Sequence, residues 1–215
     1  MKATKLFLNT AAALLFAAAL HAETITYTAV PRGSIMKLDG TSTMHDWTVE
    51  SQVIGGKMEL DSNFPLDPSQ EPPKELKVTP KVDVLIPVRQ LKSGKSLMDT
   101  VMHNAMNFET QPSIKYTLLE MKPKGKTDKG LQFATKGTVT CNGVTRTNEF
   151  DVVMTKVDAT KLKVSGVTKV KMTDFKIDPP APKIALGAIK TGDDVKITFE
   201  WLTQQKAPAA TASTQ

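Results

Sequence analysis

Apolar and polar residues alternate with a period of two along most of the chain. Val195, Ile197, Phe199 and Trp201 are interleaved with Lys196, Thr198 and Glu200, the pattern of a strand with one buried face. Leu131, Phe133, Thr135, Gly137, Val139 and Cys141 repeat it. The hairpin dipeptide Asn142-Gly143 follows, and the chain returns through Phe150, Val152 and Met154. Further strands are predicted over 24–30, 33–40, 46–60, 78–87, 113–122 and 161–172, with Gly55-Gly56 bending or bulging the one over 46–60.

One segment breaks this rhythm. From Ser96 to Met106 there is no Gly or Pro, and Met98, Met102 and Met106 recur at i, i+4 and i+8 with Val101 and Ala105 beside them. The spacing predicts a single helix over 96–106. Ser96 to Asp99 has capping-box spacing, with Asp where Glu is more usual, and Asn107 is the expected stop. Asp99 and His103 stand four apart on a different face from the methionines.

At the N-terminus, Lys2 and Lys5 precede an apolar run from Leu6 to Leu20 and the small residues Ala17, Ala18, Ala19 and Ala22. This is the pattern of a secretory signal, with cleavage expected after Ala22 and a periplasmic or secreted product. The run is short for a spanning helix, and no later run is apolar enough to cross a bilayer. The Pro-rich stretches Pro65–Pro73 and Pro179–Pro182 interrupt the pattern without dividing it. The expected organisation is a signal segment 1–22, one domain over 23–203, and a disordered low-complexity tail over 204–215. About eight or more antiparallel strands with one helix imply an all-β barrel or a two-sheet sandwich. Periodicity alone does not choose between them.

Composition narrows the function classes. At 215 residues, 40% hydrophobic and 23% charged, the chain is too short for a large multidomain enzyme and too apolar to be disordered. Loss of Lys2 and Lys5 lowers the formal net charge from +6 to +4, and only Arg32, Arg89 and Arg146 among the 28 basic residues are arginine. Lysine scattered over strand-like segments fits solvated outer faces, not a nucleic-acid surface. The local cluster Lys122, Lys124, Lys126 and Lys129 reads as a solvated hairpin tip. A lone cysteine, Cys141, forbids an intrachain disulfide and reads as a small apolar residue at a strand end.

Candidate chemistry is sparse. After cleavage only His45 and His103 remain as histidines, and with Asp46 and Asp99 they could supply metal ligands, although no spacing demands it. No Gly-x-Ser-x-Gly elbow is present. The methionine stripe fits either a packed core or a cavity wall, since thioether side chains adapt to a flexible ligand.

An ordered set of short motifs runs through the chain: Thr43-Met44-His45-Asp46-Trp47-Thr48; Met98-Asp99, Met102-His103, Ala105 and Asn107-Phe108; Gln111-Pro112 and Ile114-Lys115-Tyr116; Gly137-Thr138-Val139 leading into Asn142-Gly143-Val144-Thr145-Arg146; and Lys171 to Ile177. In order and spacing this set resembles the YceI-like family over roughly residues 23–203. The resemblance implies an antiparallel lipocalin-like β-barrel of about eight strands. It also implies non-catalytic binding of a long isoprenoid or similar lipid-like amphiphile, with no cofactor. The expected contacts are His45, Trp47, Met98, Met102, His103, Met106, Phe108, Phe175 and Phe199, with polar groups at the mouth holding a headgroup. Two other readings stand beside it: a β-sandwich interaction module with a solid core, and an exported metal-binding protein using His45 and His103.

Overall fold

The computed structural model describes residues 23–181 and 189–207. The expected signal segment 1–22 and the tail beyond Ala207 lie outside the described residues. Ten strands form one antiparallel sheet that closes on itself. The first two, β1 (Thr24–Ala29) and β2 (Ile35–Ser42), lie end to end along β10 (Thr191–Gln205), Ala29 opposite Thr203 and Ile35 opposite Glu200. The next two, β3 (Trp47–Ser51) and β4 (Gly55–Asp61), pair with β2 and β1 and form a second broken strand. The circuit continues through β5 (Lys81–Pro87), β6 (Ser113–Thr127), β7 (Gly130–Cys141), β8 (Val144–Lys156) and β9 (Lys161–Lys171) to β10. Two broken and six continuous strands make an eight-position closed barrel, with no long edge left unpaired among the described residues.

The breaks differ from expectation in detail. The strand expected over 46–60 is interrupted at Gln52–Ile54, where the Ser51 hydroxyl accepts from the Val53 N–H at 3.1 Å and Gly55-Gly56 opens the second piece. Gly56 has φ +126°, and a Cβ there would collide with the Asp83 carbonyl of β5. The strand expected over 113–122 runs on to Thr127 despite Pro123. A register shift between Pro123 and Gly125 accompanies the missing donor, and a second shift lies between Leu118 and Glu120. Most of the lysine cluster therefore lies on a strand, and only Lys129 is at the tip. The tail also begins later than expected: β10 reaches Gln205, whose N–H donates to the Thr160 carbonyl at 2.7 Å.

The helix α1 (Ser96–Ala105) connects β5 to β6 and lies over one end of the barrel. The expected capping box does not form. Lys95 is the N-cap, and Asp99 instead accepts from the Ser93 N–H and the Ser93 hydroxyl, both at 2.7 Å. Burial pushes the Asp99 carboxyl up, but the two Ser93 bonds, with Lys92 and His103 nearby, outweigh it and hold the group below its usual value. Asn107 stops the helix as expected, in the left-handed conformation with φ 50°.

A candidate ligand cavity under the helix

Inward positions of the strands meet differently at the two ends. At the end away from α1, Leu60, Phe64, Leu131, Phe133 and Leu162 are buried against one another, with the Phe64 and Phe133 rings 5.4 Å apart between centroids. Toward α1 the barrel is hollow. A cavity of about 470 Å³ lies there, within the range of small-molecule sites.

Its walls are almost wholly apolar. Val82, Val84 and Ile86 of β5, Val152 and Met154 of β8, and Val195, Ile197 and Phe199 of β10 face it, while Met98, Val101, Met102 and Ala105 of α1, with Met106 at its C-cap, roof it. All of the methionines except Met1 line this space: Met36, Met44, Met58, Met98, Met102, Met106, Met121, Met154 and Met172. Flexible thioethers suit a wall that must fit a chain with many conformers.

A row of aromatic rings crosses the interior. Tyr116 of β6, Phe150 of β8 and Phe199 of β10 follow one another at centroid distances of 5.6 and 5.9 Å. Glycines make room for them: a Cβ at Gly137 would lie 2.5 Å from the Tyr116 ring, and one at Gly166 would lie 2.8 Å from Phe199. The glycine in the alternating β7 pattern is thus the seat of an aromatic ring on the neighbouring strand.

The mouth is formed by α1, the β2–β3 turn and the chain entering β10. Leu97 and Met44 stand there 62% and 63% exposed, with Lys95 and Lys171 beside the opening. His45 is exposed at this rim, its Nδ1 2.9 Å from the Asp46 carbonyl. The Trp47 indole donates to the Thr41 carbonyl at 3.0 Å and lies over Gly40, where a Cβ would overlap its ring.

Seven of the nine expected contact residues line this one space: His45, Trp47, Met98, Met102, Met106, Phe175 and Phe199. His103 and Phe108 do not. His103 is 8% exposed on the other face of α1, and its Nε2, 3.0 Å from the Leu91 carbonyl, carries the proton because that carbonyl only accepts. Phe108 stacks outside the barrel beneath the Arg89 guanidinium, 4.7 Å from its ring centre, and beside His103 at 5.6 Å. Both pin the helix in place. The pair His45 and His103 is therefore split between the rim and a buried anchoring contact, and no group of three or more His, Cys, Asp or Glu side chains placed to hold a metal occurs among the described residues. Sequence reasoning missed Tyr116, Phe150, Trp201 and six methionines. Their signal was the sheer number of methionines and, for the residues on strands, the inward phase each shares with its strand; Met44 and Met172 lie just outside the strands.

Cys141 also lines the cavity, and burial pushes its thiol up to about 11. A thiol so far from ionising is no nucleophile at neutral pH. Among the described residues no helix is long and apolar enough to cross a membrane.

The sequence profile of the YceI-like domain matches residues 18–202. No curated protein matches the chain. Solved structures do. A polyisoprenoid binding domain from Saccharophagus degradans, implicated in plant cell wall breakdown, superposes with a TM-score of 0.63 at 11% identity, over 84% of this chain and 98% of that one. BcnA from Burkholderia cenocepacia gives 0.60 at 15% identity, over 79% and 95%. A YceI protein of Campylobacter jejuni gives 0.53 at 18% identity, over 74% and 85%. At these identities the likeness is one of fold.

Proposed function

We propose that this chain, which belongs to the YceI-like family, binds a long isoprenoid or similar lipid-like molecule in the barrel without transforming it. The observation that carries this reading is the cavity of about 470 Å³ whose wall includes nine methionines. A solid-core interaction module would have filled that volume, because an unfilled apolar space forfeits dispersion contacts on every side. The Saccharophagus domain, a polyisoprenoid binder by name, supports the same class of ligand.

The energetics favour long chains. Burying several hundred Å² of hydrocarbon gains on the order of 10 kcal/mol at about 25 cal/mol per Å², and ordering the chain offsets much of it. Affinity then grows with length and enclosure. A polar head remaining at the mouth would meet His45, Lys95 and Lys171, which border the opening.

Export completes the reading: the mature chain begins at Glu23 and works in the periplasm or outside the cell. Mass spectrometry of organic extracts from protein purified out of the exported fraction tests both parts. A co-purified amphiphile and an intact mass starting at Glu23 are expected. Repeated emptiness, with no uptake of added isoprenoids, would favour the interaction module.

A further inference from the structure

Two side chains of the cavity wall each carry a fully buried polar atom that has no partner. Trp201 of β10 lines the cavity at 3% exposure, and its indole Nε1 is buried without a hydrogen bond. The Tyr116 hydroxyl, at one end of the aromatic row, is likewise buried and unbonded. Thr135 is near enough to influence that hydroxyl but makes no hydrogen bond with it, and its own proton is committed to the Phe150 carbonyl at 2.7 Å. The other polar pair inside, Asn148 and Thr168, is self-satisfied at 3.2 Å. Buried donors without acceptors are rare, since each loses its hydration with nothing in return.

We propose that the inner cavity is a hydrogen-bond-donating subsite that receives an uncharged acceptor oxygen of the ligand, with Trp201 Nε1 as the principal donor and the Tyr116 hydroxyl as the second. This rests on the binding reading above and adds the chemistry of the ligand's inner part. An indole N–H only donates, so the matching group is a carbonyl, ester or ether oxygen and not a hydrocarbon. That group is neutral. The charged residues bordering the cavity, Lys95 and Lys171, lie beside α1 and at the end of β9, so a carboxylate or phosphate carried inward would lose its water without gaining a cation. A ligand with a neutral oxygen at one end therefore enters oxygen first, and its apolar remainder lies along the methionines.

Two probes of nearly equal shape test this: hexahydrofarnesyl acetone, a branched ketone, and pristane, in which a methyl group replaces the ketone oxygen. Titrations followed by intrinsic fluorescence on the full mature chain should give about tenfold tighter binding of the ketone. Trp201→Phe should erase most of that preference, and Tyr116→Phe a smaller part, the ketone affinity of each variant being read against that variant's own pristane affinity. Tyr116→Phe removes only one oxygen and keeps the test open if the tryptophan variant folds poorly. In the wild type, the Trp201 indole N–H resonance should move further downfield with the ketone than with pristane. Equal binding of the two probes, or a preference that survives both substitutions, would overturn the subsite while leaving the cavity reading intact. Failure of both probes to bind would sink the binding reading itself, and the subsite with it.

Discussion

At the closed end of the barrel, Leu60, Leu131, Phe133 and Leu162 are at most 1% exposed and fill the space between the strands. At the α1 end the same strands, continuing the same alternation, surround an open volume of about 470 Å³. The difference lies in the side chains that meet at each level. The closed end uses branched and aromatic groups with few rotamers, which interdigitate to crystal-like density. The other end uses methionines, glycines seated under aromatic rings, and a helix in place of a further layer of inward side chains. One architecture yields a packed core and an open cavity when stiff, bulky residues are segregated from flexible ones.

The largest effect expected from breaking this contrast is at Phe133. Phe133→Ala leaves a void that the packed end cannot collapse into, so urea melts should show a loss of about 3–5 kcal/mol with ligand affinity nearly unchanged. A loss below about 1 kcal/mol would mean that the closed end is not the stability core.

Cys141 asks how dry the hollow end is. Its thiol rises from 9.0 to about 11 on burial in the folded chain. Between these values the unfolded chain ionises and the folded chain does not, so the thiol's contribution is complete below pH 9 and is lost as pH rises through 11. Up to about 2–3 kcal/mol is involved. The pH dependence of stability should flatten by this amount in Cys141→Ala, and thiol-reagent kinetics of the native protein should climb only near pH 11. Rapid labelling at pH 8 would mean a wet cavity.

Next in size is Asn142, at the α1 end of the barrel. In the β7–β8 turn it and Gly143 have φ of 51° and 72°, a type I′ hairpin. Its amide donates to the carbonyls of Phe175 and Lys176 at 3.0 and 3.2 Å, and its oxygen accepts from Asn107 at 2.8 Å. The side chain thus ties the helix exit and the chain after β9 to one hairpin. Asn142→Ala should lower stability by about 1–2 kcal/mol, with faster amide exchange at the α1 end only.

The smallest stability effect is expected at Met102, by contrast with Phe133. Met102→Ala removes atoms that face the cavity, so apo stability should fall by less than about 1 kcal/mol while affinity for an amphiphile falls about fivefold. Met102→Trp should be accepted by the apo protein yet compete with the ligand. A loss of about 2–5 kcal/mol for the alanine variant, with binding unchanged, would place Met102 in a filled core.

Much of this contrast could be read in part from the chain alone. Leu131, Phe133, Thr135, Gly137, Val139 and Cys141 face inward as their alternation predicts, and Met98, Met102 and Met106 share the face that roofs the cavity. The hairpin at Asn142-Gly143 and the stop at Asn107 were legible because both residues tolerate the left-handed conformation those positions need. His103 and Phe108 were misplaced for a definite reason. Local spacing puts His103 on one face of the helix and Phe108 just past its end, but does not say what each meets there, which is the Leu91 carbonyl for His103 and the Arg89 guanidinium for Phe108. The capping role expected of Ser96 went unfilled because Asp99 found better donors at Ser93, outside the helix.

The period of the sequence determined which side of each strand is buried, where α1 lies and where the chain turns. Those are local properties, set by backbone stereochemistry and by the separation of apolar from polar side chains over a few residues. Only the tertiary structure decided which end of the barrel is solid, which inward residues touch open space, and that Trp201 and Tyr116 are left without acceptors. The volume at any level depends on side chains contributed by all eight strand positions, and on a helix held by contacts such as His103 to Leu91, twelve residues apart. No short-range pattern encodes how such distant residues add up.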